Sequence, residues 1–208
     1  MKTHQLTMTA IFLSIILLFA FTPLGFINLG IISATLIHVP VIIGAVVLGP
    51  RYGAFLGLSF GLISMFNATV NPVPMSFVFS PFIPVIGTNQ GSLWAIVIAI
   101  IPRILVGIVP YYAFQLMKKS LPKLKEPISL FISGVIGSLT NTILVMNLIY
   151  LLFNQGYSQI QSGALGSSLY KIVLAVIVTN GIPEAIVAGI ATSAVTAVLL
   201  KLTHRSRN

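Results

Sequence analysis

No cysteine occurs in the 208-residue chain, which excludes a disulfide framework and any cysteine-based metal site. Acidic residues number two, Glu126 and Glu184. Charged residues of either sign make up only 6%, against about 25% in a soluble domain. That is too little charge to cover a water-facing surface. No stretch is long or polar enough for a soluble catalytic or nucleotide-binding domain, and neither an HExxH zinc site nor a phosphate-binding Gly-Lys-Ser/Thr loop is present. No buried array of aspartate or histidine would serve a proton pump. The chain has no means of hydrolysing ATP, and the reading is of a protein that is not an enzyme.

What is abundant is apolar: 57% hydrophobic residues and a mean hydropathy of +1.06. This composition identifies an integral membrane protein, all-α, with room for about six spans of roughly 20 residues each. Proline, glycine and polar clusters divide the chain into spans at about 6–21, 34–49, 52–67, 93–117, 128–153 and 169–201. The first apolar run, Ala10 to Phe21, follows Lys2 and could imitate a signal peptide. No small-residue cleavage pattern follows, so it reads as a retained span. Residues 1–208 read as a single membrane domain.

The net charge of +9 would suggest nucleic acid in a soluble protein, but its distribution has a different origin. With the amino terminus inside, the cytoplasmic segments hold Lys2, Arg51, Lys118, Lys119, Lys123, Lys125, Lys201, Arg205 and Arg207. The outside segments hold no lysine or arginine, and Lys171 lies just within the last span. Retention of basic residues on the cytoplasmic side predicts a six-transmembrane-helix bundle with both termini cytoplasmic, in the cell membrane, without a nucleic-acid partner. The segment 68–92 is uncharged and rich in proline and phenylalanine. A long connection of that kind reads as an ordered extracellular cap.

Gly53, Gly57 and Gly61 repeat at a spacing of four on the third span, and Ala185, Gly189, Ser193 and Ala197 form a similar stripe on the sixth. Small residues so spaced let helix backbones approach closely in lipid, and packing within this chain is the simpler use of both. Ala10 and Ser14 make a shorter pair on the first span, suited to packing inside the chain or to a partner.

Two ionisable residues interrupt long apolar runs: Arg103 in the fourth span and Glu184 in the sixth. A charge at bilayer depth costs at least a few kcal/mol and normally faces a cavity or a partner. Arg103 lies about 15 Å along its helix from Leu93, at 1.5 Å per residue. Asn141 falls halfway along the fifth span, and Asn180 precedes Glu184 by one turn. Arg103, Asn141, Asn180 and Glu184 are expected to share one polar layer, as a substrate site or as an ion pair with interhelical links. A guanidinium suits a carboxylate, and amides and a carboxylate suit amide or hydroxyl groups. His38, beside Pro40, reads as structural. Pro102, Pro110 and Pro183 favour kinks, and carbonyls freed near Arg103 and Glu184 could face a cavity.

The run Ile37-His38-Val39-Pro40-Val41-Ile42-Ile43-Gly44-Ala45, the turn Leu48-Gly49-Pro50-Arg51-Tyr52-Gly53-Ala54, the Gly57 to Gly61 stretch and the Asn180-Gly181-Ile182-Pro183-Glu184 segment resemble the substrate-binding S components of energy-coupling factor (ECF) vitamin transporters. Phe66-Asn67-Ala68-Thr69, followed by Asn71-Pro72 and Ser76-Phe77-Val78-Phe79-Ser80-Pro81-Phe82, is similar to the pantothenate-specific members of that family. The resemblance implies a prokaryotic uptake subunit that binds a vitamin, a transmembrane coupling subunit and two cytosolic ATPases. ATP and magnesium would be used by those partners, and no cofactor or metal by this chain. It places Ala10-Ile11-Phe12-Leu13-Ser14 at the family's Ala-xxx-Ala coupling motif, with serine in place of the second alanine. It assigns the carboxylate of pantothenate to Arg103, its amide and hydroxyls to Asn141, Asn180 and Asn71, a hydroxyl to Glu184, and its dimethyl group to Phe77 and Phe79. The competing expectations are an S component for another B-vitamin or precursor, an autonomous secondary carrier or channel, and a scaffold subunit whose polar layer is filled.

Overall fold

A computed structural model describes residues 2–22, 25–28, 33–85, 87–153 and 169–205. Helix α1 (Lys2–Phe21) leads to a short antiparallel hairpin, β1 (Phe26–Asn28) with β2 (Ser33–Thr35), in the register Phe26 opposite Thr35. Helices α2 (His38–Leu48) and α3 (Pro50–Val70) follow, then an irregular segment with one 3-10 turn at Ser76–Val78. Beyond it come α4 (Trp94–Val106), α5 (Val109–Ser120), α6 (Glu126–Leu152), α7 (Leu169–Val176), a π-helical turn at Ile177–Gly181 and α8 (Ile182–Arg205).

Five of these stretches, among the described residues, are long and apolar enough to cross a membrane: Thr3–Phe21, Pro50–Val70, Trp94–Ser120, Glu126–Leu152 and Val173–Lys201. Their outer faces stay oily. Leu18, Phe55, Leu62, Ile186, Ile190 and Val198 are exposed, as expected of lipid-facing positions in a multi-pass membrane protein.

The expected second span departs from this pattern in two ways. Residues 33–35 are strand rather than helix, so among the described residues the regular structure is helical apart from one hairpin. Helix α2 itself has 11 residues, about 16 Å at 1.5 Å per residue, which is short of a hydrocarbon core of about 30 Å. Every residue from His38 to Val46 is buried. Helix α2 is therefore the central post of the fold, packed on α1, α3, α5, α6 and α8. Gly49 closes it: a φ of 97° suits only glycine without strain. Pro50 then opens α3 at a position where no N–H is missed.

Among the described residues the apolar core lies in two larger clusters and a small one at Val46, Phe114 and Leu130. Phe12 and Ile16 of α1 meet Ile42 and Ile43 of α2, Leu56 and Phe60 of α3, and Val106 of α4. Phe77 and Val78 of the cap meet Ile98 of α4, Val145 and Ile149 of α6, and Val173 of α7. The described residues of the segment 68–92 are tied together by hydrogen bonds. Val73 N–H donates to Ser76 Oγ at 2.9 Å, the Thr69 and Ser80 hydroxyls bond at 2.7 Å, and Val85 N–H donates to Gln90 O at 3.1 Å.

Both small-residue stripes pack inside the chain. A Cβ on Gly53, Gly57 or Gly61 would strike the carbonyl oxygens of Gly107, Arg103 and Ala99 in turn, so α3 and α4 run antiparallel in backbone contact. On α8, Gly189 faces the Phe131 ring of α6, and Ser193 Oγ donates to Pro127 O at 2.8 Å. The run Gly57-Leu58-Ser59-Phe60-Gly61 also spells the GxSxG pattern of a hydrolase nucleophile elbow. It lies mid-helix, with no strand-to-helix turn, and Ser59 Oγ donates to Phe55 O at 2.9 Å on an exposed face. It is a packing stripe and carries no nucleophile.

Candidate functional site

Arg103 sits on α4 one residue after Pro102. Its residue is buried, at 7% exposure, and its backbone is pinned from behind by Gly57. Its Nη1 donates to Ile98 O at 2.8 Å. The guanidinium lies 4.9 Å from the Phe79 ring centroid and 5.6 Å from that of Phe60, within cation–π range of both. Nε is buried and has no hydrogen-bond partner.

Opposite stands the middle of α6, where Asn141 Oδ1 is likewise buried with no partner. Thr142, next to it, packs against Gly181. The turn Ile177–Gly181 is wound as a π-helix, a form that recurs as a single bulge at functional sites. Pro183 follows and cannot donate to the turn before it. This widened turn carries Asn180, and Glu184 lies in the first turn of α8.

These elements line an open cavity of about 710 Å³, inside the range of about 300–1,000 Å³ typical of small-molecule sites. Of the residues expected to form a polar layer, Arg103, Asn141, Asn180 and Glu184 all line it, and so do Asn71 and Phe79 of the cap side. Phe77 does not. It is 1% exposed and packs edge-on against Phe153 at 5.6 Å, because the 3-10 turn directs residue 77 into the core and leaves residue 79 for the cavity. Ala10 and Ser14 are exposed on α1, with Ser14 Oγ donating to Ala10 O at 2.9 Å. They lie on the face away from Phe12 and Ile16, which pack into the core.

Several lining residues were missed as site residues in the sequence. His38 borders the cavity while its Nε2 bonds Ser138 Oγ at 3.0 Å, so its structural role and its place at the site coexist. Phe60, Ser64 and Asn67 line the α3 wall. With Asn71 they fall at spacings of four, three and four, one face of a helix. That polar stripe on an apolar helix was a readable signal. Asn71 Nδ2 donates to Asn67 Oδ1 at 2.8 Å, which ties the end of α3 to its stripe. Val145, Met146, Ile149 and Val176 form an apolar wall. The cavity is thus lined by a cation with an unpaired Nε donor, an amide with an unpaired acceptor, a carboxylate, further amides and an apolar side. It suits a small polar anion with an apolar part.

The family model described as "ECF transporter, substrate-specific component" matches residues 4–196. The chain is 43% identical over 175 residues to the "Pantothenic acid transporter PanT" of Lactococcus lactis subsp. cremoris, covering 84% of this chain and 82% of that protein. It is 30% identical over 212 residues to the "Pantothenate transporter PanT" of Leuconostoc mesenteroides subsp. mesenteroides, covering 99% of this chain and 96% of that protein.

Proposed function

This chain belongs to the family of ECF transporter substrate-specific components, and from that membership we propose that it captures pantothenate for uptake across the plasma membrane. The observation that carries the reading is a pair of buried, unmet groups on two residues that line one cavity: Arg103 Nε, a donor, and Asn141 Oδ1, an acceptor. Buried polar atoms are nearly always paired. Thr192 Oγ1 and Thr196 Oγ1 of α8 also lack partners, but of these residues only Arg103 and Asn141 line the cavity, where a ligand can supply the missing partners. Pantothenate supplies them. Its carboxylate accepts from the Arg103 guanidinium, and its amide N–H or a hydroxyl donates to Asn141. Asn180, Asn71 and Glu184 take the remaining polar groups. Val145, Met146 and Phe79 cover the dimethyl carbon. Phe77 supports this roof from within and makes no contact. The names of the two relatives favour this anion over other B-vitamins.

The same reading holds residues 1–208 to be one membrane domain with six spans, α2 completing the second through its flanking residues. Both termini are cytoplasmic and the cap is extracellular, in keeping with the lysine and arginine distribution. A transmembrane coupling subunit meets the exposed Ala10–Ser14 face, and two cytosolic ATPases supply the energy. The chain itself binds and does not catalyse.

Calorimetric titration of the purified protein in detergent with pantothenate tests the core of this. Wild type binds. Arg103→Ala loses about 3 kcal/mol, roughly a hundredfold, as when one member of a buried charged hydrogen-bonded pair is truncated. Unchanged affinity in that variant removes the arginine from the site; absence of binding by wild type removes the function.

A further inference from the structure

Helix α4 runs from Trp94 to Val106 although residue 102 is proline. In a regular helix the N–H of residue 102 would donate to the carbonyl of Ile98, four residues back. Proline has no N–H, and its ring crowds that carbonyl. Ile98 is fully buried, so its oxygen would be costly to leave unpaired. The group that takes it is Arg103 Nη1, at 2.8 Å.

The choice of nitrogen matters. Nη1 lies on the side of the guanidinium nearest its own Cδ. Nε and Nη2 form the other edge, with two N–H groups pointing the same way, and Nε is the buried atom without a partner. A two-N–H edge matches the two oxygens of a carboxylate. The rings of Phe79 and Phe60 at 4.9 and 5.6 Å restrict the plane from turning, and the Gly57 contact holds the backbone beneath it.

We propose that Pro102 is a positioning residue for anion recognition: by withholding its N–H it leaves the Ile98 carbonyl to Arg103, which presents the Nε–Nη2 edge to the cavity and selects a carboxylate over a neutral head group. This rests on the pantothenate reading above. An alanine at 102 restores the helical N–H, which competes for the Ile98 oxygen and closes the turn around it. The guanidinium then loses its anchor and its fixed edge, while the rest of the cavity is untouched.

The test titrates the full-length Pro102→Ala protein in detergent with pantothenate and with pantothenol, in which CH2OH replaces the carboxylate. Pantothenate binding weakens about tenfold, the scale of one charge-assisted hydrogen bond. Pantothenol binding changes by less than about twofold, because the alcohol has no second oxygen for the edge. The melting temperature does not fall, since alanine is favoured in a helix interior. In an Arg103→Gln background the Pro102→Ala effect on pantothenate disappears, because the proline acts through the guanidinium. Equal losses for acid and alcohol, or a loss that persists in the Arg103→Gln background, would make Pro102 a determinant of helix shape alone and overturn the proposal. Unchanged pantothenate affinity in Pro102→Ala overturns it too. Failure of wild type to bind pantothenate is a separate result, which removes the reading beneath the proposal and the proposal with it.

Discussion

Replacing Gly57 by alanine tests how firmly the α3–α4 seam places the cationic group. The new methyl would strike the Arg103 carbonyl oxygen, with Arg103 C at 2.9 Å and Ile104 Cα at 3.0 Å. All of these are backbone atoms, so no side chain can swing aside. Relieving the carbonyl-oxygen contact, the shortest of the three, moves α4 outward by about 1 Å. Alanine gains up to about 1 kcal/mol of helix propensity over glycine. Overpacking of a close contact costs about 1–3 kcal/mol, so the clash wins and the net loss is about 1 kcal/mol. Arg103 travels with its helix, and a shift of about 1 Å exceeds the tolerance of about half an ångström of a preorganised site. Pantothenate affinity should therefore fall by about 1 kcal/mol, roughly fivefold. Gly61→Ala is the internal comparison. Its methyl meets Ala99 O at 2.7 Å and Ile100 Cα at 3.2 Å, a milder conflict one turn from the arginine. Thermal unfolding in one detergent, followed by calorimetric titration, should rank Gly57→Ala below Gly61→Ala in stability and in affinity. A Gly57→Ala protein with wild-type melting and wild-type affinity, or the reverse ranking, would refute the backbone contact as the device that holds Arg103.

Phe79→Leu removes the ring 4.9 Å from the guanidinium and should weaken pantothenate by about 1 kcal/mol, within the range for a partly desolvated cation–π contact; Phe77→Leu, whose ring packs on Phe153, should lower the melting temperature and leave affinity unchanged, and equal binding effects from both would void the distinction. The absence of cysteine makes topology directly readable: Gln90→Cys in the exposed cap should react with a membrane-impermeant thiol reagent in intact cells and Lys119→Cys only after permeabilisation, whereas the opposite pattern would invert the proposed orientation.

The convergence of Arg103, Asn141, Asn180 and Glu184 on one cavity was legible in the sequence, because charge and amides are so rare in these apolar runs that their depth along each span nearly specifies their meeting. The glycine stripe was legible for the same reason, since spacing of four on one helix implies a facing backbone. The roles of Phe77 and Phe79 were not. Two phenylalanines in a proline-rich cap look alike in sequence, and only the 3-10 turn at Ser76–Val78 decides which faces the core. In sequence His38 looks structural, because a lone histidine carries no spacing signal. Its position at the cavity comes from α2 beginning at residue 38 after the hairpin, a break that the sequence marks only with Pro23, Gly25, Asn28 and Gly30. The shortness of α2 was hidden likewise, since the hydrophobic run continues through a strand.

Both charges of the cavity are preceded by proline: Pro102-Arg103 on α4 and Pro183-Glu184 at the start of α8. The coincidence has a physical basis. A regular helix satisfies every backbone group internally and offers a buried charge nothing to bond. Proline interrupts that closure and leaves a carbonyl one turn back without its helical donor. At membrane depth such a carbonyl is tolerable only where protein or a water-lined cavity meets it. On α4 the freed Ile98 oxygen is met by the arginine itself. On the other side the chain passes through a π-helical turn before Pro183, which widens the backbone where Asn180 must reach the cavity. Helix α3, with no proline past its first turn, contributes side chains to the wall but no charge. Irregularity and charge therefore occur together for one reason, and a span in this family carrying a mid-membrane charge without a neighbouring helix break would be expected to pair that charge with another side chain instead of presenting it to a ligand.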